Sequence, residues 1–104
     1  MHEKPLFIPL RTRHFADFEA GTKTVEYRQH KRQWNLRNVR VGRRATLSLG
    51  YNGGKRLYGV VTSADVRHSS TLPEYDRAAV LECYGGDVEL ICIGIRLEGN
   101  GNGR

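Results

Sequence analysis

The segment Gly21-Thr22-Lys23-Thr24-Val25-Glu26-Tyr27-Arg28 gathers an ammonium, a carboxylate and a guanidinium within a few residues of one another. Such a cluster can bind a polar ligand or process one. A lysine beside Glu26 favours the charged form of that carboxylate and keeps it available as a base, while Arg28 or Lys23 stabilises a developing oxyanion. Alternatively Lys23, desolvated by a cleft wall, loses its proton and serves as base or nucleophile itself. The sequence leaves both assignments open. A surface trio of ion pairs, worth little to stability, is the competing structural reading.

The flanking residues indicate how the cluster is held. Thr12 is a good N-cap, Phe15 and Phe18 lie on one helical face, and Gly21 suits the left-handed position after a helix, which predicts a helix from about Arg13 to Ala20. Beyond it Thr24, Val25 and Tyr27 favour a strand in which Glu26 and Arg28 share a face and Tyr27 points the other way. Lys23, at the mouth of the turn, can swing toward either side. Thr24 adds a hydroxyl to the Glu26 face if the pleat is regular.

The rest of the chain reads as strands with one late helix. Leu6, Ile8 and Leu10 alternate through an opening strand, which Pro5 and Pro9 restrict to an edge or to non-donating positions. From Gln29 to Val41 runs a polar, arginine-rich connection around Trp34, with room for a single helical turn, whose length suggests a functional loop. Ala45, Leu47 and Leu49 alternate with Thr46 and Ser48, Asn52-Gly53-Gly54 makes a turn, and Leu57 to Ala64 returns as the second arm of a hairpin. Thr71 or Ser70 caps a helix with Pro73 in its first turn, which continues until Gly85-Gly86. Tyr75 and Tyr84 on that helix are expected to pack against the barrel. Val88 to Leu97 is a long apolar strand with Ile91, Ile93, Ile95 and Leu97 on one face. The tail 99–104 is expected to be disordered.

Charge is unevenly spread. The formal net charge is +6, and between Tyr27 and Ala64 there is no acidic residue at all. Arg28, Lys31, Arg32, Arg37, Arg40, Arg43, Arg44, Lys55 and Arg56 all fall in that span. A basic face interleaved with Trp34, Tyr27, Tyr51 and Tyr58 suggests nucleic acid, since aromatic rings stack on unpaired bases while arginines hold phosphates. Arg11, Arg13, Lys31, Arg32, Trp34, Arg37, Arg40 and Tyr51 are the residues expected to carry that contact. Solubility of a small basic protein is the plainer explanation of the same charge.

Length and composition set bounds. With 104 residues and 38% hydrophobic content there is material for one modest core, hence a single domain over residues 1–98. No apolar run approaches the ~18 residues of a membrane span, and the opening Met1-His2-Glu3-Lys4 leads into too short an uncharged run for a signal peptide, so a cytoplasmic protein is expected. Cys83 and Cys92 form no C-x-x-C pair and have no clustered histidines, which predicts reduced thiols, no metal and no cofactor, with Cys92 in the core. His14, His30 and His68 are scattered and read as solvated or capping residues. Asn52-Gly53-Gly54-Lys55 lacks the spacing of a phosphate-binding loop and reads as a turn.

Gly21, Lys23, Glu26 and Arg28 fill all four fixed positions of a G-x-K-x-x-E-x-R segment, and on these residues the chain resembles the ASCH domains of the PUA-like superfamily. The order of elements is similar as well, over roughly Pro5 to Glu98. The resemblance implies an α+β fold, a small PUA-like β-barrel of about five to six strands flanked by two or three short helices. It also implies that Lys23, Glu26 and Arg28 line a cleft between barrel and helix and contact an RNA base or a nucleotide, with Thr24 beside them. Some ASCH proteins are amidohydrolases acting on N4-acetylcytidine, and a member is described as a ribonuclease. A hydrolase using Lys23 and Glu26 is therefore the alternative to a module that binds RNA or a modified nucleoside. The small amidohydrolases carry a threonine where this chain has Glu26, and they use a further glutamate in the late helical segment, where Glu74 and Glu82 are the candidates. This chain follows the broader Glu-containing pattern, which points to ligand binding.

Overall fold

The computed structural model describes residues 3–52 and 54–98. The tail expected to be disordered, 99–104, and Gly53 of the expected turn lie outside the described residues. Five strands form one curled, half-barrel sheet: β1 (Leu6–Leu10), β2 (Val25–Gln29), β3 (Arg44–Leu49), β4 (Arg56–His68) and β5 (Glu89–Leu97), in the order β1-β3-β4-β5-β2. With α1 (Thr12–Ala20) and α2 (Glu74–Tyr84) the class is α+β. No helix among the described residues is long and apolar enough to cross a membrane.

β1 runs parallel to β3, and every other pairing is antiparallel. As the prolines require, β1 is an edge. The Leu10 carbonyl accepts a bond from the Gly50 N–H on the β3 side, so the Pro9 carbonyl, one residue back, points to the open side, where a missing N–H costs no ladder bond. β2 is the opposite edge. The sheet therefore curls with β1 and β2 as the two lips of a seam.

The concave face holds the main core. Leu6, Ile8, Leu10, Ala45, Leu47, Val61, Ile91, Ile93 and Ile95 meet Phe15 and Phe18 of α1, with Val39 plugged in from the loop before β3. Each aromatic ring so buried contributes about 1.5–3 kcal/mol. The convex face is covered only in part. A 3₁₀ turn at Ser69–Thr71 and α2 lay Leu72 and Val80 over Leu90 and Cys92, so β5 is apolar on both sides because it is buried on both sides. The sheet bends where β4 and β5 shift register between Val61 and Ser63. At that bend a Cβ on Gly94 would stand 2.1 Å from Ser63 Oγ, and one on Gly59 would stand 2.6 Å from the Arg96 carbonyl oxygen.

Several local expectations are corrected. Thr12 belongs to α1 itself; Arg11 holds the N-cap position without a side-chain cap, and its carbonyl accepts from the Phe15 N–H. The other end is as expected, with Gly21 left-handed at φ 81°. β4 extends to His68 instead of Ala64, because the ladder from Asp65 to His68 with β5 satisfies its backbone despite the charged side chains. Pro73 sits at the N-cap position of α2 and not inside its first turn, while Thr71 donates its hydroxyl to the His68 carbonyl. Tyr75 and Tyr84 are exposed, since only Val80 of α2 is fully buried. The arginine-rich loop has turns but no helix; the Asn35 side chain accepts the N–H groups of Arg37 and Asn38 and so takes up the local hydrogen bonding.

Candidate functional site

β2 carries its charges inward. Antiparallel pairing places Glu26 opposite Ile93 and Arg28 opposite Ile91, and partners directly across a ladder share a face. Glu26 and Arg28 thus project onto the concave side, among the core isoleucines, while Val25 and Tyr27 join the convex cluster. Glu26 is buried. Its Oε2 accepts from Arg28 Nε at 2.8 Å, and its Oε1 lies 3.6 Å from Lys23 Nζ. Lys23 reaches it because the Gly21 turn redirects the chain over α1, with the Lys23 N–H bonded to the Asp17 carbonyl and its ammonium 5.7 Å from the Phe18 ring centre.

Arg28 ties the seam together. Its Nη2 donates to the outward-pointing Pro9 carbonyl of β1, and its guanidinium carbon lies 4.9 Å from the centre of the Trp34 ring. One side chain therefore joins the buried carboxylate, the opposite sheet edge and the loop aromatic. Beside it opens a cavity of about 370 Å³ lined by Arg28, Lys31, Arg32, Trp34 and Tyr84. Its wall has no carboxylate among the described residues. The arrangement offers an aromatic face backed by a cation, with two further cations at the rim, which is suited to a planar ring carrying negative charge.

The expected site residues separate into groups. Lys23, Glu26 and Arg28 come together. Thr24 is exposed and lies before β2; its carbonyl accepts from the Ile95 N–H. Glu74 and Glu82 are exposed on α2, and among the described residues neither bonds to the Lys23–Glu26–Arg28 cluster. Lys31, Arg32 and Trp34 border the cavity. Arg11 and Arg37 are exposed, Arg13 contacts the Tyr75 hydroxyl at 3.3 Å, and Arg40 is engaged by Glu3 and the Arg37 carbonyl. Tyr51 lies elsewhere, with its ring 6.4 Å from that of Phe7 on the convex face. Sequence reasoning missed Tyr84 as a wall of the cavity and the Pro9 carbonyl as a partner of Arg28. Neither carries a sequence signal, since both depend on how the edges meet.

A second cavity, of about 330 Å³, opens on the convex side between Leu72 and Pro73, just before α2, and the sheet, with Tyr27, Asp65, Arg67 and Cys92 in its wall. Burial, reinforced by Asp76, pushes the Tyr27 hydroxyl up to about 12, and the Asp76 carboxylate lies 3.3 Å from it. Burial likewise raises the Cys92 thiol. Cys83 and Cys92 are both free. No group of three His, Cys, Asp or Glu side chains among the described residues is arranged to hold a metal ion.

The fold and site define a small α+β half-barrel with a charged cluster at its seam. Neither protein-family models nor curated proteins give a match to this chain.

Proposed function

We propose that the chain is a PUA-like domain of the ASCH group that binds single-stranded RNA or a modified nucleotide at the seam between β1 and β2. The observation that carries this reading is the Arg28–Trp34 stack at the mouth of a carboxylate-free cavity. A volume of about 370 Å³ is within the range of small-ligand sites. A base extruded from a strand stacks on Trp34, Lys31 and Arg32 meet its phosphates, and Glu26, paired with Lys23, holds the Arg28 guanidinium against the ring. Binding is favoured over catalysis because both oxygens of Glu26 are already occupied by cations. A hydrolase acting on N4-acetylcytidine or on RNA would need Glu26 or Lys23 released on substrate entry.

The test is fluorescence anisotropy of a labelled single-stranded oligoribonucleotide across salt. Affinity is expected to fall steeply between ~50 and ~200 mM, and Trp34→Ala is expected to weaken it roughly 5- to 100-fold. A flat salt response would sink the reading. In parallel, mass spectrometry should find N4-acetylcytidine and a structured RNA intact. Turnover by the wild type that Lys23→Ala abolishes would replace binding by hydrolysis as the function.

A further inference from the structure

The convex face of the sheet is divided. Its β2–β5 half lies under α2 and the 3₁₀ turn, whereas over β1, β3 and the start of β4 no described element is laid. On the bare half, pairing in register aligns Phe7 of β1, Thr46 of β3 and Tyr58 of β4 in one row, and Pro9, Ser48 and Arg56 in the next. Phe7 is 38% exposed, Tyr58 55% and Tyr51, on the hairpin beside them, 74%. Two strand spacings put Phe7 and Tyr58 on the order of 10 Å apart, with only a threonine between. The Arg56 guanidinium carbon lies 5.4 Å from the Phe7 ring centre.

We propose that this bare half-face is a second contact for single-stranded nucleic acid, in which successive bases stack on Phe7 and Tyr58 while Arg56 meets the phosphate between them. It lies on the opposite side of the sheet from the seam and rests on the seam reading only in sharing its class of partner. Charge selects the occupant. The hairpin turn, β3 and the start of β4 belong to the stretch from Tyr27 to Ala64 that has no carboxylate, and Arg56 makes no ion pair among the described residues. Arg44, on the same face one row beyond Thr46, is engaged by Glu98. A second copy of this chain would bring the same positive charge against itself, which costs rather than gains. A polyanion with flat apolar rings satisfies both features at once. Beneath the rings, Ser48 is fully buried, and among the described residues its hydroxyl has no hydrogen-bond partner.

The test measures binding of fluorescein-labelled oligouridine to the full chain, with Phe7→Leu/Tyr58→Leu, Tyr51→Ala and Arg56→Gln compared with the seam variants Lys23→Ala and Trp34→Ala. The double variant is expected to bind roughly 5- to 100-fold more weakly for each base that loses its ring, with the salt slope kept. Arg56→Gln is expected to lower that slope by about one. Should the double variant melt early, Tyr51→Ala and Arg56→Gln, both at the surface, decide the matter. Wild-type affinity in all the convex-face variants would overturn this proposal while leaving the seam to its own variants. Loss in the convex-face variants alone would keep it and remove the seam reading. No binding by the wild type overturns both, and a self-association abolished by the double variant, with oligouridine binding intact, would make the face an interface between copies.

Discussion

The two faces of this sheet invert the usual distribution of side chains. On the concave side, where α1 and the isoleucines make the core, β2 inserts a glutamate and an arginine; on the convex side, Phe7 and Tyr58 stand in the open. Burying charge and exposing rings are both costly departures. They occur at separate places, the seam and the bare half-face, and each is bordered by arginines of the carboxylate-free span, Arg28 and Arg32 at the seam and Arg44 and Arg56 on the bare half-face. The comparison teaches that in this chain the candidate sites lie where the alternation of strands serves something other than packing.

The largest effect should come from breaking the buried trio. Glu26→Ala leaves Arg28 and Lys23 half-buried without their counter-charge and is expected to cost about 3–5 kcal/mol by chemical denaturation. Replacing Lys23, Glu26 and Arg28 together by Met, Leu and Met should cost much less, or stabilise, because no charge is left stranded. Equal losses in the single and triple variants would show that the seam is not held by paired charge. Next comes the bend that separates the faces. Gly94→Ala drives a methyl onto Ser63 Oγ and should cost about 1–3 kcal/mol, with partial recovery when Ser63→Gly is added.

A smaller effect sharpens the contrast within the convex face, between its covered and bare halves. The cover is tied down by Asp87, whose carboxylate takes Arg77 at 2.6 Å and the Ser69 hydroxyl at 2.8 Å. Those hydrogen bonds, Arg77's first, hold its carboxyl down at about 2. A carboxyl held below its unfolded value stabilises the fold above that value and loses the contribution on acidification. The wild type is therefore expected to lose stability as pH falls from about 4 through about 2, and Asp87→Asn to lose it already at neutral pH and show a flatter acid limb. Identical acid limbs in the two proteins would disprove the tie. Smallest of all, Lys55→Ala removes an exposed pair with Glu19 of α1 and should shift stability by less than ~0.5 kcal/mol; a larger loss would mean that this pair fastens α1 to the hairpin.

Much of this was legible along the chain. The left-handed Gly21, the edge position of β1 with its two prolines, the hairpin and the face shared by Glu26 and Arg28 all follow from local rules. What alternation could not tell was which side of β2 meets the core, since Val25 and Tyr27 are the apolar pair and yet face α2. The extension of β4 through Asp65 and Arg67 was equally hidden, because its support is the β5 ladder and not its own residues. Tyr51 and Trp34 belonged to one basic span in the sequence, but the hairpin carries one to the convex face and the loop keeps the other at the seam.

The strand order also dictates a timetable. Both edge strands are made early and paired late: Leu6 must wait for Ala45, and Val25 for Gly94. Only β3 and β4 can zip locally through their short turn. Each edge thus closes a long loop, whose entropy must be met before any contact rewards it. During synthesis the strand bearing Glu26 and Arg28 has no sheet partner until β5 emerges, so the bond from Arg28 to the Pro9 carbonyl has no completed seam to span before then.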